Sequence, residues 1–111
     1  MTKNTLLTLA AMLAFAVTPK VLAADGAAIY SDTCAQCHGD DGKGKTKKGE
    51  RLKIRDFSDP KVQATFTDAD AIKTVKEGVK KDNVIVMKGY AYSDDEVNAV
   101  VAFFRTLKDK K

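Results

Sequence analysis

Apolar residues fall into a few clear patterns along this chain. From Leu6 to Val17 they are almost continuous, broken only by Thr8. Near the other end, Val97, Val100, Val101, Phe104 and Leu107 recur at spacings of three and four. That spacing places them on one face of a terminal helix reaching about Lys108. Ile72, Val75 and Val79 repeat it on a shorter scale. No stretch of useful length alternates apolar with polar residues. Val84-Ile85-Val86 is β-prone, but the run is short. The pattern predicts an all-α fold.

Polar residues mark where these helices begin and end. Asp25 is placed to cap a first helix from about Gly26 to Cys37. Gly39, Gly42 and Gly44 punctuate the loop after it. Residues 45–65 are mixed and basic, with Pro60 opening a short helix. Thr67-Asp68-Ala69-Asp70 reads as a capped start to a helix that stops around Gly78. Ser93-Asp94-Asp95-Glu96 has the pattern of a capping box and opens the terminal helix.

The first apolar run belongs to a different kind of segment. Lys3 precedes it, and Val21-Leu22-Ala23 follows with small or aliphatic residues three and one positions before a cut. This predicts a secretory signal peptide over residues 1–23, cleaved after Ala23. The run is about 12 residues, whereas a bilayer span needs about 20. A retained anchor is the alternative. No cysteine stands at the cut, so lipid anchoring is not indicated. Export to a periplasm follows, with one domain over residues 24–111 and no membrane span after cleavage. Losing Lys3 and Lys20 lowers the formal charge from +4 to +2. So balanced a domain does not argue for nucleic-acid binding.

The candidate chemistry is concentrated in five residues. Cys34-Ala35-Gln36-Cys37-His38 contains both cysteines and the one histidine of the 111-residue chain. C-x-x-C-H is the spacing of covalent haem attachment. Thiols three apart lie on one face of a helical turn and can reach two vinyl groups on one side of a porphyrin. His38 follows at once, placed to rise to the iron as proximal ligand. A zinc site would need a fourth ligand, and a thioredoxin-like redox pair would need a β-α-β surround that the pattern lacks. A thioether-linked haem c would also staple a domain too short to bury a large core.

With these parts in place, residues 24–111 resemble the small monohaem class I cytochromes c. The resemblance rests on Cys34 to His38, on Gly26 and Tyr30 upstream, and on Met87 and Ala102-Phe103-Phe104 downstream. It implies a cytochrome c-like fold of about three to five helices around one covalent haem c. Gly26, Tyr30, Val100 and Phe103 match the close crossing of first and last helices in that family. It also implies iron held by His38 on one side and Met87 on the other. Met1 and Met12 fall in the leader, so Met87 is the single methionine left. The implied function is one-electron transfer between larger redox proteins, without catalysis, by a monomer. The alternative is a haem enzyme or gas-binding sensor with an open sixth position.

Two features of the family are missing. No proline stands where a carbonyl would accept the proximal imidazole's N–H, so a carbonyl near Lys47 to Gly49 is the expected substitute. No tryptophan is present near a haem propionate, leaving Arg55, Gln63 or Tyr90 as donors. Leu52, Ile54, Phe57, Val62, Phe66, Ile72 and Val75 are candidates for the pocket wall. Lys43, Lys45, Lys47, Lys48, Arg51, Lys53 and Arg55 form a basic run opposed there by Glu50, with Lys80, Lys81 and Lys88 near Met87. Such a run is either solvated surface or a ring that steers a partner with an acidic docking surface.

Overall fold

The computed structural model describes residues 24–109. The leader assigned to residues 1–23, with its cut after Ala23, lies outside them. Helix α1 (residues 26–38) opens as expected at Asp25, whose carboxylate accepts from the Ala28 amide at 3.2 Å. It is built from α-helical turns at Gly26–Ile29 and Ala35–His38 with a π-helical turn, Tyr30–Cys34, between them. Helix α2 (Lys47–Leu52) is capped by the Thr46 hydroxyl, which accepts from the Gly49 amide at 2.8 Å. Helix α3 (Pro60–Gln63) begins at its proline, behind Asp59.

Two longer helices start on reciprocal caps. Thr67 and Asp70 exchange side-chain to backbone bonds at the start of α4 (Asp68–Glu77). Ser93 and Glu96 do the same for α5 (Asp94–Thr106). A 3-10 turn, Leu107–Asp109, ends the described chain. None of the described helices is long and apolar enough to cross a membrane.

The helical expectation needs one addition. Strands β1 (Gly78–Lys81) and β2 (Val84–Lys88) form an antiparallel hairpin. Asp82 and Asn83 join them, both with positive φ, the geometry of a tight hairpin turn. Gly78 ends α4 as expected, and it also starts the hairpin. Its φ is +78°, and an added Cβ would lie 2.4 Å from the Met87 carbonyl oxygen, so glycine is required there twice over.

The core lies where α1 crosses α5. A Cβ on Gly26 would sit 2.1 Å from the Ala99 carbonyl oxygen. The two backbones therefore touch only because that position has no side chain. The Tyr30 ring fills the next gap, 5.2 Å from the Phe103 ring and 6.2 Å from that of Phe104. Tyr30, Val97, Val100, Val101 and Leu107 are buried together. The crossing expected for Gly26, Tyr30, Val100 and Phe103 is present.

A polar cluster pins the 57–68 segment against the same helix. Buried Gln63 donates to the Phe57 and Phe104 carbonyls at 2.7 and 3.1 Å. Arg105 reaches Asp68 and the Phe66 carbonyl, both at 2.7 Å, and its guanidinium lies 4.2 Å from the Phe66 ring centroid. Buried polar groups are tolerable when paired in this way.

Candidate haem site

His38 closes α1 and projects among aromatic rings. Its imidazole meets Phe57 and Phe104 edge-on, at 5.5 and 5.6 Å between centroids. Burial lowers its pKa, which keeps the ring neutral with a lone pair free to bind a metal. Buried Nδ1 has no hydrogen-bond partner. The carbonyl expected from residues 47–49 does not accept it. That segment turns to Cys37 instead: Thr46 Oγ1 donates to the Cys37 carbonyl at 2.8 Å, and a Cβ on Gly49 would lie 2.5 Å from the same oxygen. Tyr30 Oη donates to the Gly39 carbonyl at 2.6 Å, and the Gly44 amide to that of His38 at 2.7 Å. The turn after the motif is thus tied down on three sides.

His38 and Met87 line the same cavity, of about 360 Å³. They reach it from different elements, the end of α1 and strand β2. Cys34 lines it as well, while Cys37 is half-buried and does not. Cys34 and Cys37 are not joined by a disulfide. Burial and then the neighbouring Cys37 push the Cys34 thiol up to about 11.

The wall is apolar with a few charged groups. Leu52, Ile54, Phe57, Phe66 and Val75 line it as expected. Val62 and Ile72 do not, and Ile72 packs on the helix-crossing core. Val79 and Val86 from the hairpin, and Val100, Val101 and Phe104 from α5, also line the cavity. Their part could not be read from the chain, because it depends on where the hairpin and α5 come to rest. Among the suggested propionate donors, Arg55 lines the cavity. Gln63 is spent on backbone carbonyls. Tyr90 stacks on Tyr92 at 5.7 Å and does not line the cavity. Lys53 and Lys81, not singled out for that part, join Arg55 in the lining, against the carboxylate of Asp70.

The residues present fit a haem. The cavity has the size and apolar character of a cofactor site. A buried, neutral imidazole and a thioether share it, and this is a donor pair that suits haem iron.

Comparison with known proteins agrees. The Cytochrome c family model matches residues 23–108. Among solved structures, the KustC0563 c-type cytochrome is 33% identical, with a TM-score of 0.65 over 75% of this chain and 96% of that one. A tyrosine-to-phenylalanine mutant of that cytochrome is 32% identical, with a TM-score of 0.64 over 75% of this chain and 98% of the other. No curated protein matches. The chain belongs to the cytochrome c family. It is a small class I member that carries covalently bound haem c, in a family whose work is electron transfer.

Proposed function

We propose that this protein is an exported, monohaem, one-electron carrier with His38 and Met87 as axial ligands and Cys34 and Cys37 as the thioether anchors. The observation that carries this reading is the meeting of His38 and Met87 at one cavity beside Cys34. The haem, when bound, supplies a one-electron ferric/ferrous couple. The chain's residues decide how that couple behaves. A soft thioether favours the ferrous state and raises the potential, and two protein ligands leave no open position for a substrate. The apolar wall of Leu52, Ile54, Phe57 and Phe104 excludes water, while Lys53 and Arg55 offer positive charge to the propionate edge. The reading includes removal of residues 1–23 on export to the periplasm and exchange with larger redox proteins that present acidic surfaces.

Met87→Ala tests the reading. The variant should keep its covalent haem, since attachment rests on Cys34 and Cys37. It should lose the weak far-red absorption of methionine–iron bonding in the ferric state. It should also have a lower potential and bind carbon monoxide rapidly in the ferrous state, which the parent should do only slowly. A parent that binds carbon monoxide as fast as the variant would instead identify a gas-binding or catalytic haem.

A further inference from the structure

A histidine that binds a metal ordinarily hands its other ring N–H to an acceptor, and that bond fixes the plane of the ring. Buried Nδ1 of His38 has no such acceptor among the described residues. The neighbouring carbonyls are already engaged. That of Cys37 accepts from Thr46, that of His38 from the Gly44 amide and that of Gly39 from Tyr30. The ring has to be held by contacts of another kind.

Three phenylalanines supply them. Phe57 and Phe104 meet the imidazole at interplanar angles of 63° and 80°. They also meet each other, at 4.9 Å between centroids, so the three rings close a triangle. Phe66 touches both phenylalanines, 5.9 Å from Phe57 and 6.3 Å from Phe104. One polar pair ties the backbones of all three. The Gln63 amide donates to the carbonyls of Phe57 and Phe104, and the Arg105 guanidinium donates to that of Phe66. Arg105 also donates to Gln63 Oε1 at 3.0 Å, which orients the amide that holds the other two. Neither Gln63 nor Arg105 lines the cavity, so their contact with anything bound there runs through the rings.

We infer that Gln63 and Arg105 are positioning residues for the proximal ligand: by holding the carbonyls of Phe57, Phe66 and Phe104 they lock an aromatic clamp that fixes the plane of the His38 imidazole. The inference deepens the electron-carrier reading and rests on it through His38 alone. Edge-on ring contacts favour one orientation, and close packing on two sides resists rotation. An imidazole held in this way keeps its geometry in both oxidation states, so each electron brings little rearrangement. It also gains no basicity from an acceptor at Nδ1, and a less basic donor favours the ferrous state.

The test uses the haem-loaded protein in its ferric cyanide form. Cyanide fills the sixth position and is cylindrical, so the plane of His38 sets the order of the four haem-methyl proton shifts. Gln63→Met keeps the length of the side chain and removes both donated bonds. Arg105→Lys keeps the charge and removes the planar fork. Val97→Ala is the control, because Val97 is fully buried at the helix crossing and does not line the cavity. Both clamp variants should change the order of the methyl shifts. Val97→Ala should lower the melting temperature and keep the parent's order. The parent's order in either clamp variant would overturn the inference. So would an order changed as much in Val97→Ala, since general loosening would then account for all three. If Gln63→Met yields no folded haem protein, Arg105→Lys decides alone. A parent whose cyanide form shows no hyperfine-shifted ring protons from His38 would remove that residue as a ligand, and with it both the electron-carrier reading and the clamp.

Discussion

The crossing of α1 with α5 and the hairpin at residues 78–88 both hold apolar side chains, but against different neighbours. At the crossing, polypeptide meets polypeptide. Val97 and Leu107 are fully buried, and Gly26 brings backbone against backbone. In the hairpin, Val79, Val86 and Met87 are half-buried along a cavity, and Val84 and Ile85 look to solvent. A lone two-stranded hairpin is marginal in water. This one is tethered by few contacts: the Tyr90 amide donates to the Val75 carbonyl at 2.8 Å, and Gly89 packs on the Lys76 backbone. The crossing sets the frame of the molecule, and the hairpin brings the candidate sixth ligand to that frame. The difference assigns stability to the first region and, on the proposed ligation, tuning of the iron to the second.

The sharpest way to break the cavity side is to remove its anchors. Cys34→Ser/Cys37→Ser should abolish covalent haem, so that denatured protein extracted with acidic organic solvent keeps no haem colour. The parent should keep it fully. Retention of colour by the double variant would move attachment elsewhere.

The crossing should break next most severely. Gly26→Val puts a branched side chain where even a Cβ meets the Ala99 carbonyl at 2.1 Å. Overpacking against backbone should cost at least about 3 kcal/mol. Ala27→Val, on an exposed neighbour, should cost roughly 0.5 kcal/mol through helix propensity alone. Equal melting temperatures for the two would deny the crossing its special contact.

Tyr30 joins the two regions, since it is part of the core and also lines the cavity. Tyr30→Phe should cost about 1–3 kcal/mol at neutral pH, because it strands the Gly39 carbonyl. Burial raises the pKa of Tyr30 far above its ordinary value. The unfolded chain would ionise near pH 10, while the folded one stays neutral. The group's contribution is therefore complete below about pH 10 and is lost as pH rises beyond it. Denaturant titrations across that range should show a fall in stability that Tyr30→Phe flattens.

The smallest effect sharpens rather than breaks the comparison. Ser93→Ala removes the hydroxyl that accepts from the Glu96 amide and should cost about 1 kcal/mol. It should lower the melting temperature without changing the far-red band, because the cap belongs to the frame and not to the strand that carries Met87.

Much of the frame is legible in the chain because its signals are short-range. Asp25, Thr67 and Ser93 each cap a helix through atoms three residues away. The Val97 to Leu107 spacing marks a buried face that the structure bears out. The Cys34–His38 motif and the single late methionine point to one cofactor. The hairpin was not legible, because its bulge at Val86 breaks the alternation that marks a strand and its turn uses Asp-Asn rather than a glycine pair. Helix α2 hid within a basic stretch that has no apolar periodicity.

What the sequence by itself determined is everything that neighbours within about four positions decide: helix starts and stops, the haem motif, and the apolar face of the last helix. The tertiary structure alone decided which apolar residues reach the cavity: Ile72 and Val75 both pack on the core, and of the two Val75 also lines the cavity. It decided too that Gln63 is spent on a carbonyl 41 residues away, while Arg55, one of the other two suggested donors, remains at the cavity. It also set Met87 facing the same space as His38. The reason is physical. A local pattern records which side of an element is apolar, but what that side meets is settled only when elements distant in the chain pack together and exclude water from the space between them.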